Sequence, residues 1–103
     1  MLNIDVKDIA GQRVVSVSGE VDLSTSPKLW KEIQIAFKGT TALRIRLTDV
    51  SYIDSTGIAV LVQSYKHAQK KKVYLALLDP SPNVLAVVEL ARLNDLFTIE
   101  TTA

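Results

Sequence analysis

The chain has 103 residues, 48% hydrophobic and 22% charged, which suits one soluble globular domain and excludes both a two-domain enzyme and a disordered chain. Twelve Lys and Arg against eleven Asp and Glu leave a formal charge of +1, too little to hold a nucleic-acid backbone or an anionic membrane by bulk charge. The lack of cysteine and the lone His67 exclude disulfides, thiolate catalysis, Cys-ligated metals and multi-histidine metal sites.

The opening Met1-Leu2-Asn3-Ile4-Asp5 carries an acid where a signal peptide needs an apolar core. No stretch approaches the ~18 uncharged apolar residues of a membrane span, so a cytoplasmic protein without direct membrane insertion is expected. Leu2, Ile4 and Val6 alternate with Asn3, Asp5 and Lys7, predicting a first strand. After a turn at Gly11, Val15 and Val17 alternate with Ser16 and Ser18 in a second strand, which Gly19 breaks. Ser26-Pro27 reads as a cap followed by proline at the first helical position. Leu29, Trp30, Ile33, Ala36 and Phe37 then recur at helical spacing up to Gly39.

Leu43, Ile45 and Leu47 alternate with Arg44 and Arg46 in a third strand, and Asp49 to Ile53 reads as a short connection. Asp54 is placed to cap a second helix, with Ile58, Leu61, Val62, Tyr65 and Ala68 on one face and Gln63, Lys66, His67 and Lys70 on the other. Lys70-Lys71-Lys72 closes it with cations at the negative end of the helix dipole. Val73 to Leu78 is a fourth strand, Asp79 to Asn83 a turn, Val84 to Leu93 a third helix, and Leu96 to Glu100 a short closing strand. This alternation predicts a single α/β domain over residues 1–103: an antiparallel first pair, parallel later strands, and a mixed sheet of four to five strands. Polar residues on every second strand position argue for helices mainly on one face.

The segment Ile53-Asp54-Ser55-Thr56-Gly57-Ile58 lies where the loop after the third strand enters the second helix. Ser55 and Thr56 would occupy the first two helical positions, where free N–H groups and the positive dipole end favour an anion. Gly57 would let another backbone or a partner surface approach closely. A plain Asp cap followed by small first-turn residues is the competing and commoner arrangement. Ser55 does not read as a catalytic nucleophile: His67 lies twelve residues along the same helix, about 18 Å away at ~1.5 Å per residue. Nucleophile-elbow and phosphate-loop motifs are absent too, so no catalytic residue and no cofactor is expected.

Asp22, Asp49, Asp54 and Asp79 sit where the chain leaves strands or enters helices, and Asp22 and Asp49 are placed to flank the Ser55 loop. Turn and cap roles are the stronger reading for Asp49 and Asp79, and a divalent metal held by these carboxylates is the weak alternative. Lys66, His67 and Lys70 to Lys72 form a basic patch near Tyr65 and Tyr74. A solvated helix end accounts for it better than nucleic-acid binding does, and His67 is expected to be exposed. Trp30 and Phe37 are most simply core, although Trp30 could mark a partner contact.

Gly19-Glu20-Val21-Asp22, Leu47-Thr48-Asp49-Val50 and the run Ile53 to Leu61 together resemble the anti-sigma factor antagonists of the STAS domain family, with matching element order over essentially the whole chain. The resemblance implies a small α/β domain with a mixed sheet, no enzymatic activity and a partner-switching role. It further implies that Ser55 is phosphorylated by an anti-sigma factor with serine kinase activity, with Thr56 the alternative acceptor. The unphosphorylated form would bind that partner, a serine phosphatase would reset it, and Asp22 would lie near the phosphosite. The partner-binding set is then Asp22, Asp54, Ser55, Thr56, Gly57 and Ile58. Ala59 departs from the glycine typical of sigma-regulating relatives. With Leu29-Trp30, it also resembles a second branch, the cytoplasmic STAS subunit of a bacterial phospholipid-transport ABC system, whose partner is the transporter ATPase.

Overall fold

The computed structural model describes residues 1–102, and the elements run β1 (Leu2–Ile9), β2 (Gln12–Val21), α1 (Ser26–Ala36), β3 (Ala42–Ile53), α2 (Ser55–Lys71), β4 (Tyr74–Leu78), α3 (Pro82–Leu90) and β5 (Ile99–Glu100). One five-stranded sheet has the order β1-β2-β3-β4-β5, antiparallel between β1 and β2 and parallel thereafter. The hairpin turns at Ala10 and Gly11, both at positive φ, as a two-residue turn matched to strand twist requires.

Alternation on β2 and β3 sends Val15, Val17, Leu43, Ile45 and Leu47 to one side, where they form one buried cluster with Leu29 and Ile33 of α1, Leu61 of α2, and Val84 and Val88 of α3. The opposite face is polar. There Arg44 pairs with Glu100 at 2.6 Å and lies 5.3 Å from the centre of the Tyr74 ring. Helices therefore cover one face of a mixed sheet, as the patterning predicts.

Five local expectations are corrected. The second strand does not stop at Gly19 but continues to Val21, with Gly19 in a positive-φ conformation. Asp49 to Ile53 is not a connection but the second half of β3. Two register shifts against β2 each insert one extra residue in β3, so the buried positions step from Leu47 to Val50 and then to Ile53. α3 starts at Pro82 rather than Val84, because the Ser81 hydroxyl caps it by accepting from Val84 N at 3.3 Å, and it ends at Leu90. β5 is only two residues long; Leu96, expected to start it, instead donates to the Leu93 carbonyl at 3.0 Å in a turn. At α1 the cap position is Thr25, one residue before the expected Ser26, and no side-chain cap bond forms there.

Candidate functional site

The ends of β2 and β3 converge on the start of α2. Asp54 N–H donates to the Val21 carbonyl at 3.2 Å, so the first turn of α2 is tied to the end of β2. Gly57 makes this packing possible: a Cβ there would lie 2.6 Å from Ile53 Cγ1 and 2.7 Å from Val21 Cγ1. The close approach expected at Gly57 is made internally, to side chains of the sheet. Ile58 is only 7% exposed and also faces the core. These two members of the expected contact set shape the site from beneath.

Asp54 is the cap. Its Oδ1 accepts from Thr56 N at 2.9 Å, Gly57 N at 3.2 Å and the Thr56 hydroxyl at 2.5 Å. The Thr56 hydroxyl bond, with the backbone N–H bonds behind it, holds the Asp54 carboxyl below its ordinary pKa, against partial burial and the negative charge of Asp22. Thr56 is half-buried and its hydroxyl engaged, whereas Ser55 is exposed at the first position of the helix.

Asp22 opens the β2–α1 loop. Its Oδ1 accepts from Ser24 N at 3.0 Å, Ser24 Oγ at 2.8 Å and Thr25 N at 3.1 Å, while Thr25 Oγ1 donates to the Glu20 carbonyl at 3.0 Å. The Ser24 hydroxyl bond is the main cause holding the Asp22 carboxyl below its ordinary pKa. The loop is therefore held by its own side chains, with Asp22 and Asp54 close enough to feel each other's charge.

The other two aspartates lie elsewhere. Asp49 stands within β3 opposite Ser18, on the polar face of the sheet beside Arg46, so it is neither a turn former nor a flank of the Ser55 loop. Asp79 leaves β4 at positive φ and accepts from Thr102 N at 2.7 Å and its hydroxyl at 2.5 Å. Among the described residues no group of three or more His, Asp and Glu side chains could hold a metal ion. His67 sits on the same unbroken helix as Ser55 and cannot reach it. It is half-buried rather than exposed, its ring 4.7 Å from that of Phe37 and 6.0 Å from that of Trp30.

Leu23, not singled out in the sequence, and Ala59, noted there only as a departure from the family pattern, complete the rim. Leu23 is 75% exposed next to Asp22, and Ala59 is exposed one turn beyond Ser55 on the same face of α2. The i, i+4 relation to Ser55 is the signal for Ala59. An apolar residue inside a polar turn is the signal for Leu23. Among the described residues no helix is long and apolar enough to cross a membrane.

Comparison with known proteins bears on what this rim does. The sequence model of the family described as the STAS domain matches residues 3–103. An anti-sigma-B factor antagonist of Bacillus subtilis (strain 168) is 33% identical over 98 residues, covering 95% of this chain and 90% of the relative. The crystal structure of an anti-sigma factor antagonist from Mycobacterium paratuberculosis superposes with a TM-score of 0.85 at 29% identity, over 97% of this chain and 86% of that one. The Bacillus cell fate determinant SpoIIAA, solved in its phosphorylated form, has the same fold, with a TM-score of 0.73 at 20% identity over 97% of this chain and 93% of that one. Nothing in these relatives supports the lipid-transport branch suggested by Ala59.

Proposed function

Because the chain belongs to the STAS domain family, we propose that it is an anti-sigma factor antagonist working by partner switching, with Ser55 as the phosphorylated residue. In its unphosphorylated form it binds an anti-sigma factor with serine kinase activity; phosphorylation of Ser55 releases that partner, and a serine phosphatase restores the binding form. It acts in the cytoplasm as a binding module and not as an enzyme. Its partner meets the rim formed by Asp22, Asp54, Ser55 and Thr56, with Leu23 and Ala59 as flanking apolar contacts.

The observation that carries this reading is the state of the two hydroxyls at the start of α2. Thr56 donates to Asp54 and is half-buried, while Ser55 is exposed, so a kinase can take Ser55 without breaking the cap. A phosphate adds about −1.5 to −2 charges, which a helix N-terminus accommodates within the domain. At a packed interface the same charge, next to Asp54 and near Asp22, meets desolvation and like-charge repulsion. A penalty of about 3 kcal/mol weakens binding roughly a hundredfold, enough to exchange partners.

Incubation with the cognate anti-sigma kinase and ATP is expected to add one phosphate, located by mass spectrometry at Ser55 and missing in Ser55→Ala. Ser55→Ala should bind the kinase constitutively, and Ser55→Asp about a hundredfold more weakly than wild type. Equal binding by wild type and Ser55→Asp would overturn the switch.

A further inference from the structure

The near-neutral charge of the chain conceals a strong separation. α1 and α2 carry Lys28, Lys31, Lys66, Lys70 and Lys71, with Lys38 and Lys72 just past their ends, against the single carboxylate Glu32. The cations that form ion pairs among the described residues all lie elsewhere: the Met1 amino group, Lys7, Arg13, Arg44 and Arg46. α1 and α2 thus present lysines with no acidic partner, and all but Lys28 and Lys31 lie toward the end of the molecule away from Ser55.

Within this layer the C-terminal ends of α1 and α2 enclose a cleft of about 590 Å³, in the range of small-molecule sites. Lys31, Lys38 and Lys71 line it together with His67, and no Asp or Glu contributes to its wall. Ile35, 52% exposed, contributes apolar surface beside the half-buried His67 ring, which stands 4.7 Å from the ring of Phe37, itself buried at 5% exposure. Three ammonium groups in a concave wall favour an anion, and the aliphatic and aromatic surface favours an apolar body. A solvated helix end accounts for Lys66, Lys70 and Lys72, but not for three unpaired lysines sharing one cleft with exposed apolar surface.

We infer that the cleft between the C-terminal ends of α1 and α2 binds a small amphiphilic organic anion, an aryl or acyl body carrying a phosphate or carboxylate. The head group lies among Lys31, Lys38 and Lys71, and the apolar body lies along Ile35 and the His67 ring. The site is independent of phosphorylation at Ser55, at the opposite end of α2.

The test is titration of the full chain with 1-naphthyl phosphate, followed by amide chemical shifts, with inorganic phosphate and 1-naphthol as the head-only and body-only probes. Saturable shifts confined to the cleft are expected, with affinity at least tenfold above either half-probe. Lys38→Gln combined with Lys71→Gln should weaken binding at least tenfold, whereas Lys7→Gln, a paired lysine on the sheet edge, and Ser55→Asp should leave it unchanged. The site is refuted if naphthyl phosphate binds no better than inorganic phosphate. Shifts spread over Lys66, Lys70 and Lys72 without saturation, or a double lysine variant that binds like wild type, refute it equally.

Discussion

Gly57 leaves no room for a methyl group, and the first turn of α2 depends on that. The Cβ of an alanine would press within 2.7 Å of side-chain carbons of both Ile53 and Val21, and overpacking of this kind costs about 1–3 kcal/mol. Gly57→Ala is therefore expected to lower stability by about 2 kcal/mol in urea denaturation. It should also slow phosphorylation of Ser55, because α2 must shift away from β2. The neighbouring cap makes a different prediction. The carboxyl of Asp54 titrates below its unfolded value of about 3.9 because it accepts the Thr56 hydroxyl and the helix N–H groups. Its charge-dependent contribution is complete above the unfolded pKa and is lost as pH falls through the lower folded pKa. Asp54→Asn keeps a capping oxygen but no charge, so it should be less stable than wild type at pH 7. That difference should shrink below about pH 4, as followed by thermal melts at a series of pH values; a difference constant down to pH 2 would assign it to something other than the charge.

At the scale of elements, what could be read from the sequence depended on whether the cause was local. The Asp54 cap, the helical spacing of α1 and α2, and the lysine-rich end of α2 are local, and each appears as read, with Lys72 taking the left-handed conformation that ends α2. The same cap logic holds at Ser81-Pro82, where reading Asp79 to Asn83 as a turn hid the start of α3 by two residues. The second half of β3 was hidden because alternation fails at a bulge: the extra residues move the buried positions to Val50 and Ile53, out of phase with Leu47. Burial of His67 was not legible, since it rests on the Trp30 and Phe37 rings of another part of the chain. The nearness of Asp22 to the Asp54–Ser55 turn was legible from its place at the carboxyl end of a strand as well as from family resemblance; its physical origin is the link from Asp54 N–H to Val21 across the ends of β2 and α2. Gly19 belongs to this scale as well. It sits at φ +100°, and a Cβ would come 1.8 Å from the Met1 carbonyl oxygen. Gly19→Ala should therefore displace the beginning of β1, raising hydrogen exchange at Leu2 to Ile4 more than in α2 and lowering stability by at least about 2 kcal/mol.

For the whole molecule, the two ends of α2 differ in character. At one end Asp54 caps the helix beside an exposed hydroxyl, with Asp22 near enough for Asp54 to feel its charge; at the other, unpaired lysines frame the cleft. A phosphate on Ser55 adds charge at the helix end suited to it, within a core shared by all three helices and the sheet. The phosphorylated chain should accordingly melt in one cooperative transition, with its midpoint no more than about 5 °C from that of the unmodified protein in calorimetry. A second transition, or a much larger drop, would show that the modification acts by loosening the fold rather than by changing the surface presented to a partner.

The position of the one imidazole also bears on how long a signal lasts. Phosphate monoesters are among the slowest bonds to hydrolyse without a catalyst. The ring of His67 is packed against aromatic side chains, well down the helix from Ser55, and the Asp54 carboxylate adjoining Ser55 has its Oδ1 committed to the cap. Among the described residues the one imidazole is therefore not placed to activate water there. A mark written on Ser55 would outlast the event that wrote it, and its lifetime would be set by whatever second protein erases it, making the domain a register of past kinase activity rather than a timer.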